Sequence, residues 1–165
     1  MINDISRAFF HAKAKREVFV QLPPEDLEPG EEGTCGRFNY SMYGTRDAAQ
    51  NWFEEYSQSL IEAGFKQGHA TPCVFYHEQR AIRTYVHGDD YVSTGTTANL
   101  EWLKKQLEAK YQVKTQILGP EEGQAREVKI LNRIVSWKEN EGFVYEADPR
   151  HAEIIIEQLG LQDAK

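Results

Sequence analysis

Residues 85–92 place two adjacent carboxylates, Asp89 and Asp90, between short apolar runs, with His87 and Gly88 just ahead of them. In mid-strand such neighbours point to opposite faces, but at a tight turn both can approach one point. Two unscreened negative charges there are costly unless a cation neutralises them, and an all-oxygen donor set suits magnesium or manganese. Gly-Asp-Asp is also an ordinary turn, so the pair needs a further element. Asp4 supplies one. It stands at the end of another candidate strand, ahead of Ile5, Ser6, Arg7, Ala8, Phe9 and Phe10, and if that strand lies beside the hairpin, three carboxylates converge on one spot.

The elements that must position these acids follow from the apolar spacing. Residues 16–21 alternate and are rich in β-formers, with residues 38–42 as a returning arm. The stretch between them, 22–36, carries Pro23, Pro24, Pro29, Gly30, Gly33 and Gly36 among five acids and reads as a loop or flap. Ala48, Trp52, Tyr56 and Leu60 recur at steps of four, one apolar helical face, with Asp47 to cap its start and Gly64 its end. Residues 73–77, 82–87 and 91–93 form a meander. Leu100, Leu103, Leu107 and Tyr111 mark a second helix with Thr97 at the N-cap position, and residues 128–137 and 143–146 form a late hairpin closed by Gly142. Asp148 and Pro149 start a last helix that runs to Gly160. The expected fold is α+β, a split βαβ arrangement with an antiparallel sheet and helices packed on one face. A core over residues 1–147 is followed by a terminal helix in 148–165.

The 165 residues are 40% hydrophobic and 27% charged, enough for one core and an appended element. The net charge of -7 argues against a basic module that coats nucleic acid, so a polyanion partner requires local positive patches or bound metal. Cys35 and Cys73 alone exclude a disulfide framework or a four-cysteine zinc site, and a reducing intracellular compartment is expected. No apolar run approaches the roughly 20 residues that cross a bilayer, so no membrane partner is expected. His69, Cys73 and His77 are spaced by four, but Pro72 breaks the helix that would gather them into a zinc site. No phosphate-binding loop motif occurs.

Several segments together resemble copia-type retrotransposon reverse transcriptases. Asp4, with Ala8 and Phe9 four and five residues on, is similar to the family's first palm motif, and residues 16–24 to its continuation. Residues 41–52 resemble the second motif, Leu-Tyr-Gly-Leu-Lys-Gln-Ala-Pro-Arg-Ala-Trp. His87, Gly88, Asp89 and Asp90 stand where the family has Tyr-Val-Asp-Asp, and residues 130–135 resemble Phe-Leu-Gly-Ile-Glu. The resemblance departs at His87 and Gly88, which replace Tyr and Val, and at Asp47 and Ala49, which replace Gln and Pro.

The resemblance implies a polymerase palm that transfers a nucleotide from a dNTP to a primer 3′-hydroxyl on an RNA or DNA template. Asp4, Asp89 and Asp90 would be the catalytic residues and would hold two Mg2+ ions, or Mn2+. In-line attack on the α-phosphorus puts negative charge on entering and leaving oxygens, which two metals can bear. Phe9 aligns with the aromatic that screens the sugar 2′ position, the alternative being a plain core residue, and Phe10 is expected in the core. Tyr43, Gly44 and Arg46 would face the nucleotide or template, with a turn before the helix and a solvated arginine as alternatives for Gly44 and Arg46. His87, Asn132 and Trp137 would lie towards the primer, although Trp137 also suits simple hairpin packing. The family's fingers, thumb and RNase H regions would be supplied by a parent polyprotein, in a cytoplasmic virus-like particle or the nucleus. The alternative is an inactive or co-opted retroelement remnant acting as a binding module, and a small metal-dependent phosphohydrolase explains the acids but not the other motifs.

Overall fold

The computed structural model describes residues 1–146 and 150–162. The chain gathers into two compact units, the first ending at Thr115 and the second beginning at Gln116. The first unit is built on a sheet of β1 (Ile2–Ile5), β4 (Lys66–Gln67), β5 (Val74–His77), β6 (Ile82–His87), β7 (Asp90–Thr94) and β8 (Val113–Gln116), in the order β4-β5-β6-β7-β1-β8. A separate two-stranded ribbon pairs β2 (Phe19–Gln21) with β3 (Cys35–Arg37).

Alternation along the strands puts one sheet face in the core. Ile82, Thr84 and Val86 of β6 are buried while Arg83, Tyr85 and His87 are exposed, and on β7 Tyr91 and Ser93 are buried. Two helices supply the apolar residues of this core. In α1 (Ala48–Glu62) Trp52, Tyr56 and Leu60 are buried, and in α2 (Thr97–Glu108) Leu100, Leu103 and Leu107 are buried. The Tyr56 ring lies 6.0 Å from those of both Phe75 and Tyr91, which locks α1 to the centre of the sheet. Gly64, at φ 94°, ends α1; the N–H of Phe65 returns to the Leu60 carbonyl, a turn that would strain any residue with a Cβ.

The second unit holds a three-stranded antiparallel sheet of β9 (Glu127–Ile130), β10 (Arg133–Lys138) and β11 (Gly142–Glu146), and α3 (Arg150–Gln158). Among the described residues no helix is long and apolar enough to cross a membrane.

The structure corrects several local expectations. The run at 128–137 is two strands, because Leu131 and Asn132 both adopt positive φ (46° and 63°) and make a two-residue hairpin of type I′ character. The partner of β2 is residues 35–37 rather than 38–42, although an isolated bridge from Lys13 to Tyr40 extends the pairing. Thr96, not Thr97, occupies the N-cap of α2, and neither it nor Asp47 caps its helix through a side-chain hydrogen bond. Asp47 instead accepts from Arg16 and Asn51. The boundary expected after residue 147 and the helix start at Asp148 and Pro149 lie outside the described residues.

Leu103 is wholly buried in the layer between α2 and the sheet. Leu103→Ala should destabilise the chain by about 2–5 kcal/mol, as read from urea unfolding at constant slope. A loss below about 1 kcal/mol would contradict this core assignment.

Candidate metal and nucleotide site

β1 is inserted between β7 and β8, and its backbone bonds fix both registers. Met1 and Ser93 exchange backbone bonds of 2.9 and 2.8 Å, and the Ile5 N–H donates to the Asp89 carbonyl at 2.9 Å. This antiparallel ladder makes Asp4 and Asp90 direct opposites in a non-hydrogen-bonded pair, the kind in which Cα atoms lie only about 4.5 Å apart. On the other edge the Ser6 N–H donates to the Gln112 carbonyl at 2.8 Å and Asn3 Nδ2 to Thr115 Oγ1 at 2.9 Å, so Lys114 lies opposite Asp4. Lys114 Nζ is 3.9 Å from Asp4 Oδ2. Since His87 pairs with Asp90 across β6 and β7, four strands present one continuous row: His87, Asp90, Asp4 and Lys114.

Asp89 occupies the turn that ends this row. The pairing of His87 with Asp90 leaves Gly88 and Asp89 as a two-residue loop, with φ 62° at Gly88 and no left-handed backbone at Asp89. That is the pattern of a type II′ hairpin, which calls for glycine first, so the Gly88 departure from the family suits the turn. Asp89 is exposed and Asp90 half-buried. Burial, reinforced by the charges of Asp89 and Asp4 and partly relieved by His87, holds the Asp90 carboxyl above its ordinary pKa. The row therefore concentrates negative charge at its middle, with a cation at Lys114.

Beneath the acids, on the core face, Asn3 and Tyr91 are fully buried, and Asn3 Oδ1 and the Tyr91 hydroxyl have no hydrogen-bond partner. Burial drives the Tyr91 hydroxyl well above the usual tyrosine pKa, so it stays neutral. The turn itself is gripped from α1, where the Trp52 Nε1–H donates to the Gly88 carbonyl at 2.7 Å.

The remaining expected residues separate into two groups. Arg7, at φ 56°, swings the chain out of β1 into a short 3-10 helix, Ala8–His11, which buries Ala8 and leaves Phe9 half-buried. The Phe9 ring lies 4.4 Å from Tyr43, and Phe10 meets Tyr43 edge-on at 5.7 Å. Phe10 is 42% exposed, so the core position expected for it is wrong; the 3-10 geometry turns its side chain outward. Gly44 takes φ 86° in a turn closed by the Thr45 N–H on the Met42 carbonyl, and open space lies where its Cβ would be. Arg46 is exposed. Asn132 and Trp137 belong to the second unit, Asn132 at an exposed hairpin tip and Trp137 half-buried with the Arg126 guanidinium 5.0 Å from its ring.

Lys114 and the grip of Trp52 were not anticipated from sequence. The alternation of Val113 and Thr115 could have marked the strand that carries Lys114, but the indole's choice of acceptor has no sequence signal. Carboxylate oxygens from Asp4 and Asp90, directly opposed, fit a hard divalent cation. Among the described residues, no group of three or more His, Cys, Asp or Glu is already drawn together to hold one. The Asp4 carboxylate is instead within ion-pair reach of Lys114, as expected of opposed like charges.

An acidic pair set across the central strands of an antiparallel sheet, at a hairpin tip, belongs to the class of oxygen-donor sites suited to divalent-cation chemistry. The chain belongs to the reverse transcriptase (RNA-dependent DNA polymerase) family, whose profile matches residues 2–121. It is 23% identical over 166 residues to a retrovirus-related Pol polyprotein from transposon TNT 1-94 of Nicotiana tabacum, covering 98% of this chain and 12% of the tobacco protein. It is 31% identical over 111 residues to the truncated transposon Ty1-A Gag-Pol polyprotein of Saccharomyces cerevisiae, covering 65% of this chain and 9% of the yeast protein. The Ty1-DR5 Gag-Pol polyprotein matches to the same extent over 6% of its own length. The chain thus spans between 6% and 12% of these retrotransposon polyproteins, in keeping with a copia-type element. No solved structure matches it.

An acid whose folded pKa exceeds its unfolded value holds its proton more tightly when folded. Its cost to stability is absent below the unfolded value, about 3.9 for Asp, and is fully present above the folded one. In metal-free buffer Asp90→Asn should therefore raise Tm at pH 7 and leave it nearly unchanged at pH 3. An equal shift at both pH values would contradict the charge crowding described for the row.

Proposed function

We propose that this chain is the palm of a copia-type reverse transcriptase, extending a primer by RNA-directed DNA synthesis with two Mg2+ ions. The observation that carries the proposal is the opposition of Asp4 and Asp90 across β1 and β7, beside the Asp89 turn. The strand order supports it: β6-β7-β1-β8, with α1 and α2 as the crossovers on one face, is the arrangement of a split βαβ fold. β4 and β5 extend that sheet at one edge.

In this reading Asp4, Asp89 and Asp90 would hold the two ions, whose chemistry when bound would be to lower the pKa of the primer 3′-hydroxyl and to offset charge on the leaving pyrophosphate. The protein residues do the positioning. β1 and β7 set two carboxylates on facing strands, and the II′ turn adds the third. Lys114 offsets part of the Asp4 charge. The Phe9 ring, tilted by 33° against Tyr43, forms the wall against a sugar 2′-hydroxyl, and Tyr43, Gly44 and Arg46 face the nucleotide or template. His87 faces the primer end. Template-primer, dNTP and the rest of the parent polyprotein are the partners.

Mn2+ or Mg2+ at about a hundredfold excess over Kd should stabilise the chain by about 2.7 kcal/mol in a thermal-shift titration, and Asp90→Asn should remove the effect. A wild-type chain indifferent to both ions would instead be a retroelement remnant that keeps the fold without the chemistry. In the parent polyprotein, Phe9→Ala should raise the ratio of ribonucleotide to deoxynucleotide incorporation at least about tenfold. An unchanged ratio in primer extension would assign Phe9 to packing alone.

A further inference from the structure

We propose that Trp52 is the positioning residue of the acidic turn: its indole N–H fixes the Gly88 carbonyl and so sets where Asp89 and Asp90 stand relative to Asp4. The geometry is independent of the metal-binding reading; its catalytic consequence rests on that reading.

The turn has reason to move. Gly88 is the least restrained residue type, Asp89 is exposed, and the charges of Asp89, Asp90 and Asp4 repel one another at the same end of the sheet. Each of its two loop residues is anchored through its carbonyl. Asp89 accepts from the Ile5 N–H of β1 at 2.9 Å, and Gly88 accepts from the Trp52 Nε1–H of α1 at 2.7 Å.

The indole is itself enclosed. It is 1% exposed, and the rings of Tyr56, Tyr111 and His11 surround it at 5.6, 5.4 and 6.4 Å. A buried indole needs an acceptor, and this one reaches 36 residues along the chain to the acidic turn. One residue earlier, α1 is also tied to the segment that leads into Tyr43 and Gly44, because Asn51 Nδ2 donates to Ser41 Oγ at 3.0 Å. Consecutive residues of α1 thus hold the loop assigned to the nucleotide and the turn assigned to the metal on one rigid body.

The test uses the full chain, with amide hydrogen exchange read by NMR and Mn2+ binding read by water-proton relaxation. Trp52→Phe keeps an aromatic ring and removes the donor; if the smaller ring unfolds the chain, benzothienylalanine at position 52 keeps the shape without the N–H. Amides of residues 88–90 should exchange about tenfold faster, with those of α2 unchanged, and the Mn2+ concentration at half-saturation should rise by a similar factor. 5-Fluorotryptophan, which retains the N–H, should restore both. Unchanged exchange at the turn, or equal acceleration throughout α2, would overturn the proposal, as would a loosened turn that binds Mn2+ with undiminished affinity. Turn-selective loosening in a chain whose wild type binds no Mn2+ would leave Trp52 as the anchor of the turn and sink the two-metal reading instead.

Discussion

The register between β1 and β7 governs the site. A shift of one residue would carry Asp4 to the core face and bring Asn3 or Ile5 to the side where Asp90 stands, because side chains alternate with a period of two. What prevents that slip is burial. Asn3 and Ile5 are fully enclosed, as are Tyr91 and Ser93 on the neighbouring strand, so the acids are held outward by the cost of exposing the core and burying charge. The same pairing supplies the Ile5 bond to the turn that carries Asp89.

From that register follows the charge pattern of the surface. Two acids at the middle of a four-strand row are flanked by His87 on one side and Lys114 on the other. Burial first, and then the charges of Asp89 and Asp4, keep the Asp90 pKa raised despite the opposing effect of His87. A row of this kind is poised for a cation of higher charge density than an ammonium group.

Legibility in the sequence followed the strength of local patterning. The apolar spacing of Ala48, Trp52, Tyr56 and Leu60 announced α1, and the alternation in residues 82–87 coincides with β6. Asp89 and Asp90 were visible because paired acids between apolar runs are conspicuous, and Asp4 because of its motif. β4, at two residues, is too short to show a period, and β8, at four, went unread. Leu131 at positive φ gives no warning, since leucine seldom adopts it, so the break between β9 and β10 depends on pairing rather than propensity. Phe10 was misplaced because hydrophobicity says nothing of which way a 3-10 turn directs its side chains, and the role of Trp52 depends on a contact across 36 residues.

The most direct test is an anomalous difference map at the manganese edge from crystals of the chain grown with Mn2+. The register predicts a peak within coordination distance, about 2.0–2.2 Å, of carboxylate oxygens from both Asp4 and Asp90, with Asp4 drawn away from Lys114. A peak confined to acids elsewhere, such as Glu31 and Glu32 of the flap, or Asp4 and Asp90 left without a shared ion, would contradict the account.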